Sequence, residues 1–289
     1  MSDLITITSG ALTAQINPLG AELSSLTDAD GRELMTAAEP SHWQGRAPIL
    51  FPIVGRLNGD VLRVDGREYP MKQHGFARRS TFEVVEAGKS RAVFRLEDSA
   101  ETRAIYPFAF RLEVAFTFED DRLLIDATIA NPGHVPLPSS FGFHPAFAWP
   151  LPYGEPREQH EIAFETREDA PIQRLEAGLF AGERPSPLAG RKLALDDALF
   201  EKDALVWFHP GSESVTYGAR RGPKLDIGFP DTPFLGIWSQ PGAGFVCVEP
   251  WHGHADPAGF AGEFRDKPGV FEVAPGAEKR VGMSVTLVS

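Results

Sequence analysis

The chain has 289 residues, of which 42% are hydrophobic, and its formal net charge is −12. That excess of acidic residues disfavours nucleic acid as a partner, because phosphate binding needs clustered Lys and Arg, and a neutral small molecule fits better. No run of about twenty apolar residues occurs, so we expect no transmembrane helix and no membrane partner. The opening MSDLITITSG lacks the basic and then apolar pattern of a signal peptide, which predicts a cytoplasmic protein.

Cys247 is the single cysteine of the chain. One cysteine excludes an internal disulfide framework and any metal site with several cysteine ligands. Cys247 stands in an apolar run without a basic neighbour in sequence, so we expect it to pack as a small hydrophobic residue and not to act as a nucleophile.

Short strand-like segments separated by turns recur along the chain, which contains 28 Gly and 25 Pro. The clearest segment covers residues 110–118, where apolar and polar side chains alternate with a period of two. After the turn-like residues 119–121, residues 123–130 continue the alternation, and the two segments together predict a hairpin. Further strands are predicted over 4–8, 12–16, 91–97, 205–208, 245–249 and 281–287.

The many short strands and the lack of sustained helical periodicity predict an all-β fold, built as a large antiparallel sandwich or barrel. No composition change marks an internal boundary, so residues 1–289 are predicted to form a single domain. Residues 150–187 are rich in Pro, Glu, Gly and Arg, and we expect them to form a long surface insertion. His160, within that segment, has a turn-like context that predicts a surface position.

His144 is the most informative residue of the sequence. It lies between Phe143 and Pro145 in the apolar, proline-containing stretch 137–147. A stiff backbone and dry surroundings fix the orientation of an imidazole and let its neighbours tune the pKa for proton transfer. We therefore interpret His144 as a candidate catalytic group.

Glu249 ends a second strand-like apolar run, residues 245–249, and is followed at once by Pro250 and Trp251. One candidate acid and one candidate base thus stand on rigid segments beside aromatic surface. Sugars present apolar C–H faces that stack on aromatic rings, so at least one of Trp251, Trp238 and Phe143 should line a cleft. The combination indicates proton chemistry on a sugar-like ligand.

Two cationic features precede these segments. Arg56 closes the apolar run 51–56, where its guanidinium must find a partner or a ligand. His74 precedes Gly75, and a turn permitted by that glycine could aim the ring into a cleft. The pair Arg78 and Arg79 is interpreted as exposed loop charge.

A metal site is the alternative reading of the segment 249–256. His252 and His254, with Glu249 and Asp256 nearby, could ligate a metal as in a cupin-like site. Gly253 and the Asp-Pro that follows favour a loop, and no second His/Glu pair has ligand spacing. We therefore predict no metal and no cofactor.

Four motifs, taken in order along the chain, resemble the aldose 1-epimerase (mutarotase) family. They are Phe51-Pro52-x-x-Gly55-Arg56, Gln73-His74-Gly75-Phe76, Gly142-Phe143-His144-Pro145-x-Phe147 and Val248-Glu249-Pro250-Trp251. Residues 20–23 also resemble the early strand of that family, so the resemblance spans nearly the whole chain. The family's longer Asn-rich signature near the first histidine is missing, which leaves the sugar unassigned.

The resemblance implies a galactose mutarotase-like β-supersandwich that interconverts the α and β anomers of a free hexose. It implies His144 as general acid, Glu249 as general base, and Arg56 and His74 as ligands of sugar hydroxyls. The family also has a substrate-binding aspartate between the acid and the base. Asp203 is the best match for it, with Asp196 and Asp197 as neighbouring alternatives.

Two other functions remain open from the sequence. A hexose-6-phosphate 1-epimerase would need a basic cluster at the cleft, to which Arg78 and Arg79 could contribute. A non-catalytic carbohydrate-binding protein would keep the cleft without the chemistry. In each case the expected partner is a small-molecule sugar, and the protein is expected to be a monomer or a homodimer.

Overall fold

The computed structural model describes residues 4–289, which form almost entirely β structure. The strands are β1 (Ile5–Thr8), β2 (Leu12–Asn17), β3 (Glu22–Asp28), β4 (Val61–Val64), β5 (Arg67–Pro70), β6 (Glu83–Ala87), β7 (Arg91–Glu97), β8 (Arg111–Glu119), β9 (Arg122–Ala130), β10 (Leu137–Ser139), β11 (Phe141–Gly142), β12 (Ala146–Ala148), β13 (His160–Phe164), β14 (Ile172–Glu176), β15 (Leu179–Arg184), β16 (Lys192–Ala194), β17 (Leu205–Phe208), β18 (Ser214–Ala219), β19 (Lys224–Gly228), β20 (Phe234–Trp238), β21 (Phe245–His252), β22 (Phe271–Val273) and β23 (Glu278–Val288).

Helical structure in residues 4–289 is limited to single turns. These are the α helix α1 (Ala100–Arg103) and the 3-10 turns Asn58–Asp60, Ala77–Arg79, Arg157–Gln159, Asp197–Phe200 and Phe264–Asp266. No helix in this part of the chain is long and apolar enough to cross a membrane.

A nine-stranded antiparallel sheet forms one layer, in the order β16-β13-β18-β19-β23-β9-β8-β7-β6. Within this sheet β8 and β9 make the predicted hairpin, with Phe118 opposite Leu123. Alternate side chains of both strands are buried, as the period of two requires. The predicted strands at 91–97 and 281–287 join this sheet as β7 and β23.

The second layer is a seven-stranded sheet in the order β11-β21-β20-β17-β14-β15, with β12 also paired to β21. Side chains from both layers share one core, in which Phe116 and Ile125 of the first sheet join Ile237 and Val248 of the second. The two sheets therefore pack face to face, which confirms the predicted all-β antiparallel sandwich. Smaller pairings, β1-β2-β3, β4-β5 and β10-β22, complete the structure.

Strand β21 is the central strand for the site and is longer than the predicted 245–249. It reaches His252 because β20 pairs along it on one side, while β11 and β12 share the other side. Its whole length is buried. Val246 and Val248 face the core between the sheets, whereas Cys247 and Glu249 face the other way.

The prediction of a surface insertion over 150–187 is wrong. That segment contains β13 of the first sheet and β14 and β15 of the second, and Ile162, Phe164 and Ile172 are buried. His160 is buried as well, with only 2% of its surface exposed. The charged residues that suggested a loop lie between these buried positions, on turns and on the outer faces of the strands.

Candidate functional site

A cleft of about 310 Å³ lies over the outer face of the seven-stranded sheet. Strands β14, β15, β20 and β21 form its floor, and the irregular segments before β4, β6 and β12 form its walls. Its lining residues are Trp43, Gly55, Gln73, His74, Arg78, His144, Leu175, Gly178, Phe180, Asp203, Ala204, Trp238, Glu249, Trp251 and Ala255.

His144 and Glu249, the predicted acid and base, meet at the floor of this cleft. The distance from His144 Nε2 to Glu249 Oε2 is 3.1 Å. His144 is 7% exposed and Glu249 is 1% exposed, so the contact is almost dry. Neither His144 Nδ1 nor Glu249 Oε2 has a partner with hydrogen-bond geometry in the described chain. The pair is therefore held by packing and remains free to engage a ligand.

Trp251 reaches the cleft because two flanking strands carry glycine. A Cβ atom on Gly142 of β11 would lie 2.6 Å from Trp251 Cδ1, and one on Gly236 of β20 would lie 2.7 Å from Trp251 Cη2. The indole ring occupies the space that these two side chains would take. Glu249 and Trp251 are two residues apart on β21 and so face the cleft together.

Aromatic rings fix the orientation of His144. Trp43 stacks on its imidazole at a centroid distance of 4.9 Å, and Trp238 packs edge-on at 5.8 Å. The ring of His74 lies edge-on at 5.7 Å. A site that combines rigid aromatic walls with several polar side chains suits a ligand that has both an apolar face and hydroxyl groups.

Burial governs the protonation of the pair formed by His144 and Glu249. It raises the pKa of Glu249 well above 4.5, with a further rise from the charge of Asp203 and a partial offset from the indole of Trp251. Burial also lowers the pKa of His144 to about 3, opposed in part by the backbone of His144 itself and supported by Arg78. At pH values between the lowered pKa of His144 and the raised pKa of Glu249, the two groups therefore hold one proton between them.

His74 lies where its turn was predicted to aim it. Its φ is 65°, and Gly75, with φ 68°, continues a left-handed turn in which a Cβ would lie 2.2 Å from the carbonyl oxygen of Phe51. The amide of Gly55 donates to His74 Nδ1 at 3.1 Å, and the side-chain amide of Gln73 lies 3.2 Å from Nε2. Burial, His144 and the arginines at 78 and 79 lower the pKa of His74 well below 6.5.

Asp203 is the aspartate that lines the cleft. It has φ 70°, and its Oδ1 accepts from the amide of Ala204 at 2.7 Å. Burial raises its pKa, with an opposing effect of that hydrogen bond. Of the two alternatives, Asp196 caps the turn Asp197–Phe200 and Asp197 binds Arg157 at 2.8 Å, both outside the cleft lining.

The guanidinium of the cleft comes from Arg78 and not from Arg56. Arg56 is 42% exposed and forks onto Asp60, with Nε to Oδ1 at 2.9 Å and Nη2 to Oδ2 at 3.0 Å. The charge of Arg56 has thus found a protein partner. Arg78 is half-buried and lines the cleft, while Arg79 is exposed, so the prediction of exposed loop charge holds for one of the two.

Arg78 has an unusual environment for a guanidinium. Its Nη2 donates to the carbonyl oxygen of Gln73 at 3.3 Å. Burial lowers its pKa to about 10, helped by Arg79 and opposed by Glu22. It therefore remains charged at neutral pH and points an incompletely satisfied cation at the cleft.

The cupin-like ligand set is not brought together. His252 and His254 line a different cavity, with Phe271 and Lys279, while Glu249 faces the main cleft. Cys247 is fully buried, and burial raises the pKa of its thiol well above 9, so it is no nucleophile in this state.

Some lining residues escaped the sequence analysis. Trp43 and Gln73 lie in irregular segments whose sequence shows no periodicity, and Leu175 and Phe180 lie in the segment predicted to be an insertion. The clue for Arg78 was its position four residues after His74, in the turn Ala77–Arg79 that follows. Only the packing of these segments over β21 shows that they meet.

An antiparallel sandwich with this cleft on one sheet belongs to the galactose mutarotase-like fold class. The structure of a galactose mutarotase related enzyme from Lactobacillus acidophilus is similar, with a TM-score of 0.94 and 33% identity, covering 99% of this chain and 98% of that one. A galactose mutarotase-like protein from Lactobacillus casei ATCC 334 has a TM-score of 0.91 and 30% identity, covering 99% and 100%.

The chain belongs to the aldose 1-epimerase family, whose model, described as aldose 1-epimerase, matches residues 3–271. It is also similar to the plasmid form of protein LacX from Lactococcus lactis subsp. lactis. The identity is 32% over 290 residues, covering 96% of this chain and 97% of that protein.

Proposed function

We propose that this protein is an aldose 1-epimerase that interconverts the α and β anomers of a free hexose. The observation that carries the proposal is the buried contact of 3.1 Å between His144 Nε2 and Glu249 Oε2, at the floor of a cleft with aromatic walls. Anomer exchange needs one group that removes a proton and one that delivers a proton. This pair offers both on rigid, neighbouring elements.

In the proposed reaction Glu249 takes the proton of the C1 hydroxyl, and His144 gives a proton to the ring oxygen. The C1–O5 bond breaks with its electron pair on O5, and the C1 oxygen becomes the aldehyde carbonyl. Rotation about C1–C2 turns the other face of the aldehyde toward O5. The reverse proton transfers then close the ring as the opposite anomer.

Burial supports this scheme energetically. Ring opening starts from an anionic Glu249 and a cationic His144 and leaves both groups neutral. The dry cleft favours neutral forms of both groups, as their shifted pKa values indicate. The dry site therefore favours the neutral state that ring opening reaches, and each turnover needs the shared proton to move first from Glu249 to His144 across their contact of 3.1 Å. His74 and Asp203 supply hydrogen bonds that position the hydroxyls.

The test is polarimetry of freshly dissolved α-glucose and α-galactose, with NMR of the anomeric protons as a second readout. We expect the protein to speed the approach to anomeric equilibrium for at least one free hexose. A carbohydrate-binding protein without catalysis would shift NMR resonances of the sugar but leave the rate of mutarotation unchanged, and that outcome would refute the proposal.

A hexose-6-phosphate 1-epimerase is the second candidate, and the half-buried guanidinium of Arg78 favours it. A phosphate would supply the anion that Arg78 lacks. The discriminating pair is Arg78→Met and Arg79→Met, which remove equal charge from adjacent residues, inside and outside the cleft lining. If the substrate is a hexose 6-phosphate, Arg78→Met should raise its KM strongly and Arg79→Met should not. If the substrate is a free hexose, neither variant should change the ratio of the KM values for the hexose and its 6-phosphate by much.

A further inference from the structure

We propose that the floor of the cleft is also an inhibitory site for a thiophilic divalent cation such as Zn²⁺, with His144, Cys247 and Glu249 as its ligands. One ligand atom from each of these residues lies within 4.8 Å of the other two. Among residues 4–289, these three side chains form a group of potential metal ligands that includes the cysteine. The inhibition rests on the proposed function, whereas the binding does not.

The approach of the third ligand follows from the pairing of the strands. Cys247 and Glu249 are two residues apart on β21 and so face the same side. Ala146 of β12 lies opposite Cys247, which brings His144, two residues earlier, against the same strand. Cys247 packs beside Trp43 and Trp238, the two rings that hold His144.

The ligand atoms need only small movements to bind a metal. Bonds of about 2.0 to 2.3 Å place two ligands of a tetrahedral zinc roughly 3.3 to 3.6 Å apart. His144 Nε2 and Glu249 Oε2 are already 3.1 Å apart. Since all three ligand atoms lie within 4.8 Å of one another, the thiol has to approach by at most about 1.5 Å. The fourth position faces the cleft, where a water or a sugar hydroxyl can occupy it.

Two further observations point to a ligand at this position. His144 and Glu249 are both more than nine-tenths buried, and Glu249 Oε2, which faces His144 Nε2, has no hydrogen-bond partner in the described chain. A carboxylate and a thiolate together carry two negative charges, so a divalent cation makes the dry site neutral. On binding, the Cys247 thiol and the His144–Glu249 pair each release a proton to solvent, as metal coordination requires.

The ligand chemistry selects zinc over harder ions. A thiolate and an imidazole suit Zn²⁺ and Co²⁺, whereas Mg²⁺ and Ca²⁺ prefer sets of oxygen ligands. A bound metal occupies the proton-transfer atoms of both His144 and Glu249. The metal-free protein is therefore the active form, and zinc competes with the sugar.

Co²⁺ gives a direct readout of binding that does not depend on activity. A cobalt–thiolate bond produces a charge-transfer band in the near ultraviolet, and Cys247 is the single cysteine of the chain. We expect the protein freed of metal with EDTA to develop this band on titration with Co²⁺ and to lose it when Zn²⁺ is added. Cys247→Ser, which is nearly isosteric, should show no band, and Cys247→Ala serves if the serine variant does not fold.

The activity arm compares the same proteins. We expect Zn²⁺ to inhibit anomerisation by the wild type, Mg²⁺ to leave it unchanged, and Cys247→Ser to keep its activity while losing on the order of ten- to a hundredfold in zinc sensitivity. Absence of the cobalt band in the folded wild type overturns the metal site, whatever the activity. Unchanged zinc sensitivity of both Cys247 variants overturns it as well. A cobalt band in a protein that anomerises no sugar leaves the site standing and refutes the proposed function.

Discussion

Replacing Glu249 with Gln separates the chemistry of the site from its stability. The change replaces one oxygen with an NH2 group in a side chain that is 1% exposed, so the packing around it is preserved. A positioned base contributes on the order of a hundredfold to ten-thousandfold to the rate. We therefore expect anomerisation to fall at least about a hundredfold, which corresponds to about 2.7 kcal/mol in the barrier.

Although Glu249→Gln should lose activity, it should gain stability relative to the wild type as the pH rises. Burial raises the pKa of Glu249, so the folded protein keeps a proton that the unfolded chain releases above about pH 4.5. The wild type therefore loses stability as the pH rises from there through the raised pKa, and the glutamine does not titrate. Relative to the wild type, the free energy of unfolding of Glu249→Gln should increase with pH across that window.

The assay is polarimetry for the rate and urea unfolding at several pH values for stability. Glu249→Asp serves as the matched control, because it keeps a carboxyl but moves it away from His144 by one methylene. Near-normal turnover by Glu249→Gln with the preferred sugar would remove Glu249 from the mechanism. A stability difference that does not vary with pH would refute the argument from burial.

Three further expectations test the surroundings of the pair. His144→Asn should lower kcat on the order of a hundredfold with little change in KM and abolish one limb of a bell-shaped pH profile, and an unchanged profile would contradict its role. Gly142→Ala, whose new Cβ would lie 2.6 Å from Trp251, should lower stability by about 1 to 3 kcal/mol in thermal unfolding, while Gly244→Ala, with 3.9 Å to its nearest neighbour, should cost less. Burial lowers the pKa of His254 from 6.5 to about 4, so the wild type loses stability as the pH falls through that window. Urea unfolding at pH 7 and at pH 4.5 measures this loss. Between these two pH values, His254→Gln should lose about 2 to 3 kcal/mol less of its free energy of unfolding than the wild type does. Equal losses in both proteins would refute this assignment.

The sequence by itself determined the strands whose pattern is local. The alternation over 110–118 and 123–130 predicted the hairpin of β8 and β9, because one face of each strand is buried and the other is not. The order of the four motifs indicated the family, and with it His144 and Glu249. Both residues stand on segments whose own proline and aromatic neighbours limit where the side chain can point.

Only the tertiary structure decided which arginine side chain lines the cleft. Both Arg56 and Arg78 follow short apolar or turn-like segments in the sequence. Asp60, four residues after Arg56, pairs with the Arg56 guanidinium, whereas the guanidinium of Arg78 lines the cleft. The segment 150–187 misled for a related reason, since its buried positions pair with strands far away in the chain. Long-range pairing and packing bring Trp43 and Cys247 to His144. A local sequence pattern reflects only which side chains of a segment are buried, so it cannot predict such contacts.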